Sequence, residues 1–226
     1  MTTSSPCGIA AGLVSVLVLG SGLAARPAVA QLAPAPAATR TGAPGVTAAD
    51  VAFMAGMIVH HAQAVMMASW APSHGASPAV AEVCRRIAVS QRDEIAYMQH
   101  WLADHHEPVP QVDTTTGRLL SMGGAMAMPG MSMADTAPVM PGMLNAAQLA
   151  RLDGARGPAF DHFFLTSMIQ HHEGALTMVQ QLVNTPGAAQ DPLVFQFASD
   201  ISAGQAAEID RMRHLLAAEL FDAGTH

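Results

Sequence analysis

DVAFMAGMIVHHAQAVMMA, Asp50 to Ala68, and DHFFLTSMIQHHEGALTMV, Asp161 to Val179, are one pattern written twice, without a gap, at an offset of 111 residues. The matches are Asp50/Asp161, Phe53/Phe164, Met57/Met168, Ile58/Ile169, His60/His171, His61/His172, Ala64/Ala175 and Met67/Met178. A second block recurs at an offset of 114: Ser77-Pro78 answers Asp191-Pro192, Gln91 answers Gln205, Glu94-Ile95 answers Glu208-Ile209, Met98 answers Met212 and His100 answers His214. The repeated unit is therefore a helical hairpin, with a longer connection in the second copy.

At about 100° per residue, Asp50, Phe53, Met57, His60, His61, Ala64 and Met67 share one broad stripe, and Gln63, Met66 and Trp70 fall on the other side. Thr47-x-x-Asp50 resembles a capping box and opens a first helix that ends near Ala71, before Pro72 and Gly75. Ser77-Pro78 opens a second helix to about Asp104, Gly157-Pro158 a third to about Asn184, and Asp191-Pro192 a fourth to about Phe221. A short helix is expected from Asn145 to Asp153. Residues 108–144 show no sustained period of 2 or 3.6 and read as a linker. The expected fold is all-α, a ferritin-like four-helix bundle of two αα-hairpins, 47–107 and 145–221, joined by a long crossover.

Residues 8–19 form an apolar run of about 12, too short to span a membrane, and Ala28-Val29-Ala30 gives a small-residue cleavage pattern before Gln31. Residues 1–30 thus read as a signal peptide for a periplasmic or secreted protein, an uncleaved anchor being the alternative. Residues 31–46, rich in Ala, Pro, Gly and Thr, read as a flexible tether. Past residue 30 the chain holds 9 Arg against 17 Asp plus Glu, hence a net charge of −8 with His neutral, which argues against a nucleic-acid partner. Cys7 leaves with the signal, so the mature chain holds only Cys84, expected as a small core residue.

On the second helix Glu94 shares the inward stripe with Gln91, Cys84 and Met98, and Glu208 repeats this in the other half. An ionised Glu is costly to bury alone, so both should meet a cation, a His or an Arg. His100 and His214 point outward. Met at helical spacing also serves as core filler, and an inward His as a locally bonded group. Adjacent His residues with an inward Glu, present in both halves, put metal binding level with that reading.

The linker adds Met122, Met126, Met128, Met131, Met133, Met140 and Met143, seven thioethers set among Gly, Pro and Ser with few large apolar neighbours. Thioether sulfur is soft and favours Cu(I), and M-x-M spacing lets two or three sulfurs reach one ion. A Met-enriched connector without a ligand role is the competing reading.

The elements D-x-x-F-x-x-x-M-I-x-H-H-x-x-A-x-x-M and Q-x-x-E-I-x-x-M, with FDHFFLTSMIQHHEGALTM, resemble the family catalogued as domain of unknown function 305, over roughly residues 47 to 221. The resemblance implies an exported ferritin-like bundle, some members of which bind copper through Met and His for copper tolerance. It carries over to Met57, His60, His61, Met67, Met168, His171, His172 and Met178 on the first helix of each half. On the second helices it carries over to Glu94, Met98, Glu208 and Met212. The expectation is a copper-binding protein for sequestration, tolerance or transfer, with Cu(I) at Met sites, Cu(II) at His sites, and another copper protein as donor or acceptor. A ferritin-like di-iron or di-manganese oxidoreductase is the rival, but it calls for Glu-x-x-His on two helices. Tyr97 and Arg211 stand where those His would be, so the sequence leans away from an enzyme. A structural or partner-binding bundle without metal is the third reading.

Overall fold

The computed structural model describes residues 45–123 and 140–223, with side chains through 219. The elements are α1 (Ala48–Ser69), α2 (Ala71–His74), α3 (Pro78–Asp104), β1 (Gln111–Asp113), β2 (Arg118–Ser121), α4 (Ala146–Gly154), α5 (Pro158–Val183) and α6 (Pro192–Ala223). The segments assigned to a signal peptide and most of the tether lie outside these residues.

Each long helix starts where side-chain chemistry directs. Thr47 caps α1 in a capping box closed by Asp50, whose Oδ2 accepts from Thr47 N at 2.7 Å. Ser77 caps α3 ahead of Pro78, and Asp191 Oδ1 accepts from Leu193 N and Val194 N, both at 3.0 Å, at the start of α6. The first-turn carboxylates of α1 and α5 also reach across the molecule. Asp50 Oδ1 accepts from Ala189 N at 2.7 Å, in the α5–α6 connection, and Asp161 accepts from Ser77 N at 3.1 and 3.2 Å, in the α1–α3 connection. Each half therefore holds the turn of the other.

The helices form an all-α bundle in which α1 packs on α3, α5 on α6 and α1 on α5, with a slighter α3–α6 contact. Two apolar clusters divide it along its length. One gathers Phe53, Met54, Met57 and Ile58 from α1, Met98 and Leu102 from α3, Met178 and Leu182 from α5, and Val194 and Ile201 from α6. The other gathers Met67 from α1, Val83 and Ile87 from α3, Phe160, Phe164 and Met168 from α5, and Met212 from α6. The early part of α1 thus meets the late parts of α3 and α5, as antiparallel neighbours do. Between the clusters the sequence places His60 and His61, Gln91 and Glu94, His171 and His172, and Gln205 and Glu208, so a polar layer crosses the middle of an apolar bundle.

The linker departs from expectation at three points. Residues 111–121 form a two-stranded antiparallel hairpin, too short to register as a period; Asp113 accepts from Thr115 N and Thr116 Oγ1, both at 2.8 Å, to make its turn. This hairpin covers the outer side of α1, and a Cβ on Gly117 would sit 3.0 Å from Met66 Sδ. Gln63 and Met66, expected to face away from the core, are buried for that reason, and Gln63 pairs through its amide with both Leu144 N (2.9 Å) and Leu144 O (3.0 Å). Met140 also packs against the first cluster, so core contact accounts for this linker Met. Residues 48–74 are apolar enough to cross a membrane by length and composition, and most of this apolar stretch is buried within the protein.

Candidate metal centre

Four imidazoles meet at the α1–α5 crossing. His60 and His171 approach with ring centroids 3.8 Å apart and planes tilted by 41°, and each lies 6.3 Å from its sequence neighbour, His61 or His172. All four are buried, at 0 or 1% exposure. Adjacent residues on a helix are separated by about 100°, so one His of each pair faces the opposite first helix and the other turns to its own hairpin partner.

His61 Nε2 donates to Glu94 Oε2 at 2.7 Å, and His172 Nε2 donates to Glu208 Oε2 at 2.7 Å. The two inward carboxylates thus find the His partners their burial requires. His60 Nε2 donates to the Pro141 carbonyl at 3.0 Å; a carbonyl only accepts, so this nitrogen carries the proton. In all three rings the outward nitrogen is engaged and Nδ1 is buried without a partner, while His171 has neither nitrogen bonded. A neutral imidazole with its N–H committed to a carboxylate or carbonyl presents a bare lone pair on its other nitrogen, the arrangement that metal-ligating His adopts.

Burial holds His60 down to about 3, with the neighbouring His61 adding to the effect and the Pro141 hydrogen bond opposing it. His171 is likewise held well below its ordinary value, first by burial and then by His60 and His172. Burial therefore favours the neutral form of both rings, and a neutral ring is the ligating form. An unpaired polar atom in such a place costs about 1–3 kcal/mol, so five orphaned ring nitrogens in one layer are a standing cost that a cation would relieve.

The structure brings together His60, His61, His171, His172, Glu94 and Glu208. It sets Met57, Met98 and Met178 in the apolar cluster on one side of this layer, and Met67, Met168 and Met212 in the cluster on the other. Met126, Met128, Met131 and Met133 lie outside the described residues. Among the described residues no three His, Cys, Asp or Glu side chains converge on one point. Imidazole nitrogen is a borderline donor that suits copper and zinc alike, and thioether sulfur is a softer one. Cys84 lies buried in the second cluster with its thiol pushed up to about 12 by burial, and His100 and His214 are exposed.

Two features of the layer were not among the candidate site residues of the sequence, although Gln91 was placed on the inward stripe. Gln91 and Gln205 are buried in the layer, Gln91 with neither side-chain atom bonded and Gln205 with Oε1 unbonded. Their recurrence on an inward face was the available signal. The Pro141 carbonyl left no signal, because its role depends on how the linker returns to the bundle.

Residues 50–216 match the family model described as Domain of unknown function (DUF305). Among solved structures, a DUF305 fragment from Deinococcus radiodurans is 26% identical, covering 77% of this chain and 99% of that one with a TM-score of 0.60. A candidate secreted DUF305 protein from Streptomyces coelicolor is 26% identical over 75% of this chain and 93% of that one, TM-score 0.59. CopM in its Cu(I)-bound form is 25% identical over 75% of this chain and 96% of that one, TM-score 0.53, and its Cu(II)-bound form is 27% identical with the same coverage and score. No curated protein matches the sequence.

Proposed function

We propose that this chain, which belongs to the DUF305 family, is an exported copper-binding protein that sequesters the metal, confers tolerance to it or passes it on through His and Met side chains. The observation that carries the reading is the layer of four enclosed imidazoles, three of them bonded through Nε2 so that Nδ1 is left bare. Glu94 and Glu208 orient His61 and His172 from outside, and the Met residues on either side add soft donors. The Cu(I)- and Cu(II)-bound forms of CopM, which shares this fold, support copper as the cation. Met126, Met128, Met131 and Met133 extend the soft-donor set for Cu(I) capture or hand-over to another copper protein. Export rests on the apolar run and the Ala28-Val29-Ala30 pattern.

The test is titration of residues 31–226 with Cu(II), beside a variant in which His60, His61, His171 and His172 are all changed to Gln. The wild type should bind, and the variant should lose Cu(II) while keeping a helical circular-dichroism spectrum. Unchanged affinity in the folded variant would return these histidines to the role of core packing.

A further inference from the structure

Residues 140–144 of the linker lie across the α1–α5 crossing. Their approach is unusually close. Gly142 adopts φ +77°, and a Cβ there would sit 2.6 Å from Gln170 O; a Cβ on Gly174 would collide with Pro141 O. Gly174 occupies the place that Gln63 holds in the first copy, so the segment runs through a groove opened by glycine on one side and is bonded by Gln63 on the other. This strap presses Met140 onto α1 at Gly56. A Cβ on Gly56 would be 3.5 Å from Met140 Sδ and 3.5 Å from Met178 Cε, so a linker thioether and an α5 thioether side chain come to rest over the same bare backbone.

Two further observations give this meeting a chemical direction. His60 stands one helical turn beyond Gly56, is tied through Nε2 to the residue after Met140, and keeps Nδ1 unpartnered in the interior. A cleft of about 240 Å³ between α1 and α5 is lined by Ala49, Ala52, Phe53 and Met178 among others, so the Met178 side chain is reached from solvent one turn before Gly56. The counterpart of Gly56 in the second half is Ser167, so the bare backbone that receives the two thioether side chains is not repeated there.

We infer that Met140 and Met178 form a single soft-cation site over Gly56, with His60 as the adjacent nitrogen donor and Cu(I) as its ion. The inference rests on the copper reading and locates within it a site assembled by the strap. Thioether sulfur selects Cu(I) over harder divalent ions. Because the strap is fixed by Gln63 and the Gly142–Gly174 approach, Met140 is held in place before the ion arrives, and little ordering entropy opposes binding there. This separates Met140 from a thioether on an untethered chain.

The experiment is competition for Cu(I) between the full chain and a chromophoric chelator under reducing conditions, for wild type, Met140→Leu, Met178→Leu and the double variant. Leu matches Met in volume, so each variant should keep the wild-type helical spectrum and melting temperature. Each single substitution should weaken the tightest Cu(I) equivalent by at least ~10-fold, and the double should add little, because both side chains hold one ion. Either single variant keeping the wild-type affinity and stoichiometry would overturn the site, as would losses that simply multiply. Wild-type protein that takes neither Cu(I) nor Cu(II) would instead overturn the copper reading itself.

Discussion

Lowering the pH of the metal-free protein should unfold it by a route the histidine layer sets. His60 is held down to about 3 and His171 well below its ordinary value, each chiefly by burial, whereas in the unfolded chain both titrate near 6.5. The native state thus binds fewer protons than the unfolded state between those limits. Stability is complete above about 6.5 and falls as the pH drops through the window toward 3. Each such His costs about 1.4 kcal/mol per pH unit inside the window, so the two together should remove about 4 kcal/mol between pH 7.5 and 5.0. That is a large part of the 5–15 kcal/mol typical of a domain. Urea unfolding followed by circular dichroism, in chelator-treated buffers from pH 7.5 to 5.0, measures the slope. His171→Leu removes one of the two groups and should cut the slope by about 1.4 kcal/mol per pH unit while the other carboxylates and histidines remain. A variant slope equal to that of the wild type would refute the reasoning, because neither burial nor ring contact would then be holding His171 neutral.

Asp50→Ala removes the acceptor for Thr47 N, Thr47 Oγ1 and Ala189 N together and should cost about 2–4 kcal/mol by urea titration; Asp161→Ala, which frees only Ser77 N, should cost about 1–2 kcal/mol. Equal losses would show that the two bonds to Thr47 add nothing beyond the cross-turn bond that both carboxylates make. Gly174→Ala puts a methyl group against Pro141 O and should lift the strap at a cost of about 1–3 kcal/mol, with hydrogen exchange at the Leu144 amide accelerating by an order of magnitude or more; retained protection would contradict the close approach. Cys84, buried with its thiol pushed up to about 12, should resist iodoacetamide at pH 8 in the native protein and react on unfolding, with a rate ratio of roughly 10³ or more. Prompt labelling of folded protein would disprove its enclosure.

The helices were legible because their signals are local. Ser77-Pro78, Asp191-Pro192 and the Thr47–Asp50 box start α3, α6 and α1 by side-chain bonds to the first turn, and the inward stripe of α1 follows from its period. The pairing of Glu94 and Glu208 with histidine was legible from the cost of burying a carboxylate, although which His of each pair accepts the role depends on the crossing of the helices. The burial of Gln63 and Met66 was not legible, since it comes from a linker hairpin of three- and four-residue strands folded over α1. The packing of Met140 against the bundle was equally hidden. It depends on Gly56, Gly142 and Gly174, three residues distant in sequence that open space only once α1, α5 and the strap lie together.

The crossed carboxylates have a bearing on the connection they do not involve. Because Asp50 reaches the α5–α6 turn and Asp161 the α1–α3 turn, the two hairpins are registered by contacts carried on the hairpins themselves. Register carried in this way leaves the joining of the halves tolerant of change in the length of whatever connects them, since the closure entropy of a loop grows by only about 0.6 kcal/mol per doubling.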